Sequence, residues 1–85
     1  VRAVENREFS VYQFFANKSY ERVLSFVDGR TAVEQAAQLT HGVGGRLGTT
    51  RRVIITDGGD YTVFEWRFGE GVVYPPNSEA PPPRQ

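Results

Sequence analysis

Two carboxylates, Asp57 and Asp60, bracket Gly58-Gly59, and such a pair is a candidate cradle for a hard cation. A calcium site gathers about 6–8 oxygens, and the acidic spacing of a calcium loop is missing here. Asp-Gly is also ordinary turn chemistry, so both aspartates read as turn formers. His41 is the sole histidine. Positions 37 and 45, one helical turn to either side, are Ala and Gly, so no carboxylate stands at the spacing a helical metal or base pair uses. The serines Ser10, Ser19, Ser25 and Ser78 lack a nucleophile-elbow setting. With no cysteine, thiolate zinc sites and disulfides drop out. No catalytic residue, metal ligand or cofactor is assigned, and the chain is expected to be non-enzymatic.

Phosphate chemistry is the next candidate. Gly42-Val43-Gly44-Gly45-Arg46-Leu47-Gly48 is glycine-rich, but Leu47 stands where the dinucleotide loop needs its last glycine. The run also follows a helix instead of a strand. Arg46, Arg51 and Arg52, with Thr49-Thr50 between them, form a candidate anion-binding set. A structural reading accounts for the same residues. Arg46 complements a helix C-terminus, Arg51 stacks on Trp66, and Arg52 pairs with Glu65 across two strands.

Ten basic residues balance ten acidic ones, which argues against a general nucleic-acid binder. No apolar run approaches the roughly 20 residues of a membrane span, and Val1 to Arg7 lacks a signal-peptide core. A cytoplasmic location and no membrane partner are expected. In 85 residues there is room for one domain that buries only about 60% of its unfolded surface.

Residues 1–7 read as a loose start and 75–85 as a proline-rich disordered tail, leaving 8–74 as one α+β domain. Glu8 to Phe15 and Tyr20 to Val27 alternate and carry aromatic and β-branched residues, as strands do. Thr31 to Leu47 has helical spacing at Val33, Ala36, Ala37, Thr40, Val43 and Leu47. Thr31 and Glu34 form a capping box at its start, and Gly48 suits its end. The alternative is a helix stopping near His41, followed by a glycine-rich loop. Arg51 to Thr56, Tyr61 to Phe68 and a short Val72-Val73-Tyr74 complete a ββαββ layout. A four- to five-stranded antiparallel sheet with one helix on one face is the expected fold, with strand order undetermined.

Register then assigns faces. A two-residue turn at Gly58-Gly59 sets Thr56 against Tyr61, Ile54 against Val63 and Arg52 against Glu65. Val53, Ile55, Phe64, Trp66 and Phe68 fall on the core side. A turn at Asn17-Lys18 sets Phe15 against Tyr20, Gln13 against Arg22, Val11 against Leu24 and Phe9 against Phe26 on the core side, and Phe14 against Glu21 and Tyr12 against Val23 on the other. The second face of the sheet thus gathers Tyr12, Phe14, Val23, Ile54, Tyr61 and Val63, with Glu21, Arg52, Glu65 and Arg67 among them. So many large apolar groups on one face predict an intermolecular contact. The sequence is therefore read as an interaction module, a homodimer or a subunit of a larger assembly that buries this face. The alternative is nucleic-acid or anionic-ligand binding through the arginines and tyrosines. It is not favoured, because Glu21 and Glu65 share the face and repel phosphate.

Overall fold

Three consecutive buried residues, Val53, Ile54 and Ile55, mark the middle of the sheet. A strand buried on both faces reads as an unbroken apolar run instead of an alternation. The computed structural model describes residues 7–75. The expectations for 1–7 and 75–85 therefore lie outside the described residues, apart from Arg7 and Pro75, which are both exposed. The elements are β1 (Phe9–Phe15), β2 (Tyr20–Val27), α1 (Gly29–His41), α2 (Val43–Leu47), β3 (Thr50–Thr56), β4 (Thr62–Arg67) and β5 (Gly71–Tyr74). They form an antiparallel five-stranded sheet in the order β2-β1-β3-β4-β5, with both helices on one face. This is the expected α+β class. Among the described residues no helix is long and apolar enough to cross a membrane.

The long helix is broken in two. Gly42 takes an extended conformation, and α2 starts afresh from it, with the Arg46 amide donating to the Gly42 carbonyl at 3.0 Å. Gly45 then sits on the end of α1. A Cβ there would strike the Thr40 carbonyl oxygen and approach the Leu39 carbonyl oxygen to 2.6 Å. The glycines let α2 fold back on α1, so they are packing positions and not merely weak helix formers. Gly48 closes α2 in the left-handed region, φ 91°, as its position predicted.

The capping box is also displaced. Asp28 is the N-cap of α1, and its carboxylate accepts from the Thr31 amide at 3.4 Å and the Thr31 hydroxyl at 2.5 Å. Ala32, Ala36 and Leu39 are the helix residues that pack on the sheet. Val11, Val53, Ile55, Ala32 and Ala36 form the buried centre, with Phe9, Leu24, Val27, Leu39, Val63, Phe64 and Trp66 packed around it. Val33, Val43 and Leu47, expected on the inner stripe, are exposed.

Both hairpins close with three-residue loops, not the two-residue turns expected. In the first, the Phe15 amide donates to the Ser19 carbonyl across Ala16-Asn17-Lys18. In the second, the Asp57 amide donates to the Tyr61 carbonyl across Gly58-Gly59-Asp60. The last loop residue is left-handed in each, Lys18 at φ 74° and Asp60 at φ 66°. This is the commonest three-residue hairpin geometry. Asp57 completes the second loop by accepting from the Gly59 and Tyr61 amides.

The extra loop residue moves each register by one, and a one-residue slip turns side chains to the opposite face. Bulges then undo it. In β4 the ladder runs Thr56–Thr62 and then Ile55–Phe64, with Val63 as the unpaired residue. Beyond the bulge Arg52, Ile54, Glu65 and Arg67 share the second face as expected, although Arg52 now lies opposite Arg67. In β2 the bulge falls at Val23, after which Val11 opposes Leu24 as expected. Between loop and bulge the faces are exchanged: Tyr20 lies opposite Phe14, Arg22 opposite Tyr12, and Glu21 opposite Gln13. A further irregularity sets Val27, not Phe26, opposite Phe9, and leaves Phe26 exposed at φ 54°.

Two substitutions test the helical layer. Asp28→Ala should lower stability by about 1 kcal/mol, as loss of an N-cap does, whereas Glu34→Ala should be close to neutral. Gly45→Ala should destabilise by about 1–3 kcal/mol through overpacking. Chemical denaturation of the three variants checks both points. Stabilisation by Ala at position 45 would contradict the packing of α2 on α1.

Candidate functional site

The face of the sheet away from the helices, here the outer face, carries a continuous polar and aromatic layer. Tyr20 stacks on Phe14 with ring centroids 5.5 Å apart and meets Tyr12 at 6.2 Å. The Arg52 guanidinium lies over Phe14 at 4.8 Å, and that of Arg22 over Tyr12 at 5.4 Å. Arg52 and Arg67 both donate through Nε to the same carboxylate oxygen of Glu65, at 2.8 and 2.7 Å. Sequence alternation on paired strands puts all of these groups on one side.

Glu65 anchors this layer. Burial opposes its ionisation, but the hydrogen bonds from Arg67 and Arg52 outweigh burial and hold its carboxyl below the usual range. Glu65 is only 9% exposed and Ile54 only 8%. Ile54 lies between Tyr12 and Glu65 on the neighbouring strands, in the middle of this layer.

The sequence-derived interface set therefore divides. Tyr12, Phe14, Arg52, Ile54, Glu65 and Arg67 are brought together. Val63 is not: its bulge packs it against the core beside Phe64. Tyr61 lies in the loop before β4, 73% exposed, with its ring against Gly59. Val23 is the unpaired residue of the β2 bulge. Tyr20 and Arg22 belong to the layer but were assigned to the core side, and Glu21 was assigned to the layer but faces Gln13, whose side-chain amide donates to it at 3.0 Å. The one available signal was the Ala16-Asn17-Lys18-Ser19 sequence, which suits a three-residue loop as well as a two-residue turn.

The candidate anion set does not assemble. Neighbouring strand positions point to opposite faces, so Arg51 lies over Phe68 at 5.2 Å while Arg52 is on the outer face. Arg46 is exposed on α2 beside Val43 and Leu47. Trp66 pairs across with Val53 and is not the partner of Arg51.

A second surface lies on the inner face. α1 covers β1, β3 and part of β2 but makes no comparable contact with β4 or β5. Beside it runs an apolar hollow of about 370 Å³ between Val33, Ala37 and His41 on the helix and Phe64, Trp66 and Val72 on the sheet. A second hollow of about 290 Å³ shares Val33, Ile55 and Phe64 with it and reaches Phe9 and Val63. Trp66, expected deep in the core, is half-buried in this groove. No cluster of three or more metal-ligating side chains occurs among the described residues.

Because the folded state lowers the pKa of Glu65, its stabilising contribution is present above the unfolded value, near pH 4.3, and is lost as pH falls through the folded value. Glu65→Gln should cost about 1–2 kcal/mol at neutral pH, a range already reduced for the half-exposed arginines. The gap between variant and wild type should narrow as pH falls below the unfolded value and through the lowered folded one. Denaturation across the acid range measures it, and a gap independent of pH would show that Glu65 acts by shape alone.

No protein-family model, characterised protein or solved structure matches the chain.

Proposed function

We propose that this chain is a small, non-enzymatic interaction module that docks a helix of a partner protein in the groove between α1 and β4–β5. The observation that carries the reading is the incomplete helical cover of the inner face. Five strands at about 4.8 Å spacing span roughly 24 Å edge to edge counting side chains, and one helix is about 10–12 Å wide. What the described helices leave uncovered is one helix wide, and it is floored by Phe64, Trp66 and Val72. Its wall on α1 is formed by Val33 and Ala37, of which Val33 is 60% exposed. Small and β-branched residues there allow a second helix to approach closely.

The expected homodimer through the outer face has less apolar surface to bury than the sequence suggested. Ile54 is already covered, Val63 points inward, and Tyr61 sits in a loop. A second copy is also a poor occupant of the groove. The outward stripe of α1 is Arg30, Glu34 and Gln38, all exposed, and burying those groups on an apolar floor is costly. An amphipathic helix from another chain meets neither objection.

Site-specific photocross-linking in the native cell tests the proposal. A benzophenone side chain at Val33 or Val72 should capture another polypeptide, whereas one at Glu34 should not. Val33→Glu combined with Val72→Lys should abolish the complex and leave the isolated chain folded, since both positions are more than half exposed. Capture at Glu34 alone, or at neither groove position, would overturn the groove. A product of twice the chain mass would make a second copy the occupant.

A further inference from the structure

We propose that the outer face binds single-stranded nucleic acid, with phosphates held by the terminal nitrogens of Arg22, Arg52 and Arg67 and a base stacked on Tyr20. This inference is independent of the groove. Charge is its first support. With Glu21 turned to the inner side against Gln13 and Arg22 in its place, the layer holds three arginines around one central carboxylate, Glu65. Glu70 stands at the rim beside Arg67. A neutral chain thus carries a locally cationic face, which is what phosphate contact requires.

The hydrogen bonding of the arginines is the second. Glu65 uses a single oxygen, and it engages only Nε of Arg52 and of Arg67. The Nη1 and Nη2 groups of both guanidiniums make no hydrogen bond to any described residue. Arg22 spends Nε on the Tyr12 hydroxyl at 3.2 Å and Nη1 on Ser25 at 3.4 Å, leaving Nη2. The carboxylate therefore fixes two arginines in place without consuming the forked edges that recognise phosphate. Ordering these side chains in advance lowers the entropy lost on binding.

The aromatic groups are the third. Tyr20 is 63% exposed, supported from one side by Phe14, and the Arg52 guanidinium lies over the Phe14 ring at 4.8 Å. Aromatic rings and guanidinium planes on a sheet are surfaces on which unpaired bases stack. The row crosses β2, β1, β3 and β4, three strand spacings or about 14 Å, which suits two or three bases. A duplex hides its base faces and could offer this surface only its phosphates.

Fluorescence anisotropy with labelled 15-nucleotide oligo-uridine, oligo-thymidine and a mixed-sequence duplex, at about 50 mM salt and above, tests the proposal on the full chain. Both single strands should bind more tightly than the duplex, and the ratio between them reports whether RNA or DNA is preferred. The logarithm of affinity should fall with that of salt at a slope of about −2, as three phosphate contacts on a single strand give. Tyr20→Ala and Arg22→Ala should each weaken binding about tenfold. Both residues are exposed, and circular dichroism would verify that the variants remain folded. No binding at the lowest salt, equal affinity for duplex, or affinity untouched by both variants would overturn it. So would a native mass that falls from dimer to monomer on Tyr20→Ala without any oligonucleotide binding, which would make the face a self-interface.

Discussion

A strand in the middle of a small sheet must be kept from water on two sides, and β3 imposes that requirement on everything around it. On one side α1 answers with alanines, Ala32 and Ala36, which let the helix axis lie close over Val53 and Ile55. On the other the described residues supply no second layer of backbone. Ile54 sits there between Tyr12 and Glu65 in a side-chain layer tied together by Glu65 between Arg52 and Arg67 and by arginine–ring contacts at Phe14 and Tyr12. The outer layer is thus a substitute for a missing packing partner and a chemically distinctive surface at once.

The inner side shows the opposite economy. One helix of 13 residues and one of 5 cover the β2–β1–β3 half and leave β4 and β5 short of cover. The exposed apolar residues follow from that geometry. Val33 and Val72 flank the uncovered half, and Trp66 is large enough to shield part of it alone.

The elements were legible from the sequence because each is announced locally. Strand composition, the glycine at the end of α2 and the apolar periodicity of the helical region all act within a few residues. The faces were less legible because they depend on counting. A hairpin loop of two residues and one of three are close in sequence preference, yet they exchange the two sides of every residue up to the next bulge. At β4 the loop and the Val63 bulge cancel, so Arg52, Ile54, Glu65 and Arg67 were placed correctly through a wrong register. At β2 the cancellation comes only at Val23, so Tyr20, Glu21 and Arg22 were placed on the wrong sides. The break at Gly42 was half legible: the alternative of a helix stopping near His41 gives the end of α1, but periodicity runs on through Leu47, and only the contact of Gly45 with the end of α1 reveals a second helix folded back where a loop was expected.

The bulges of β2 have a consequence for life in a crowded solution. An open sheet exposes two rims of unpaired amides and carbonyls, each a template for recruiting further chains into a fibril. On one rim β2 departs twice from regular pairing, at Val23 and again near Phe26, so an incoming strand would lose register after a few residues. On the other, β5 has only four residues and runs into Pro75, which has no amide to offer. The irregularities that decide which side chains meet on the outer face also keep the sheet finite.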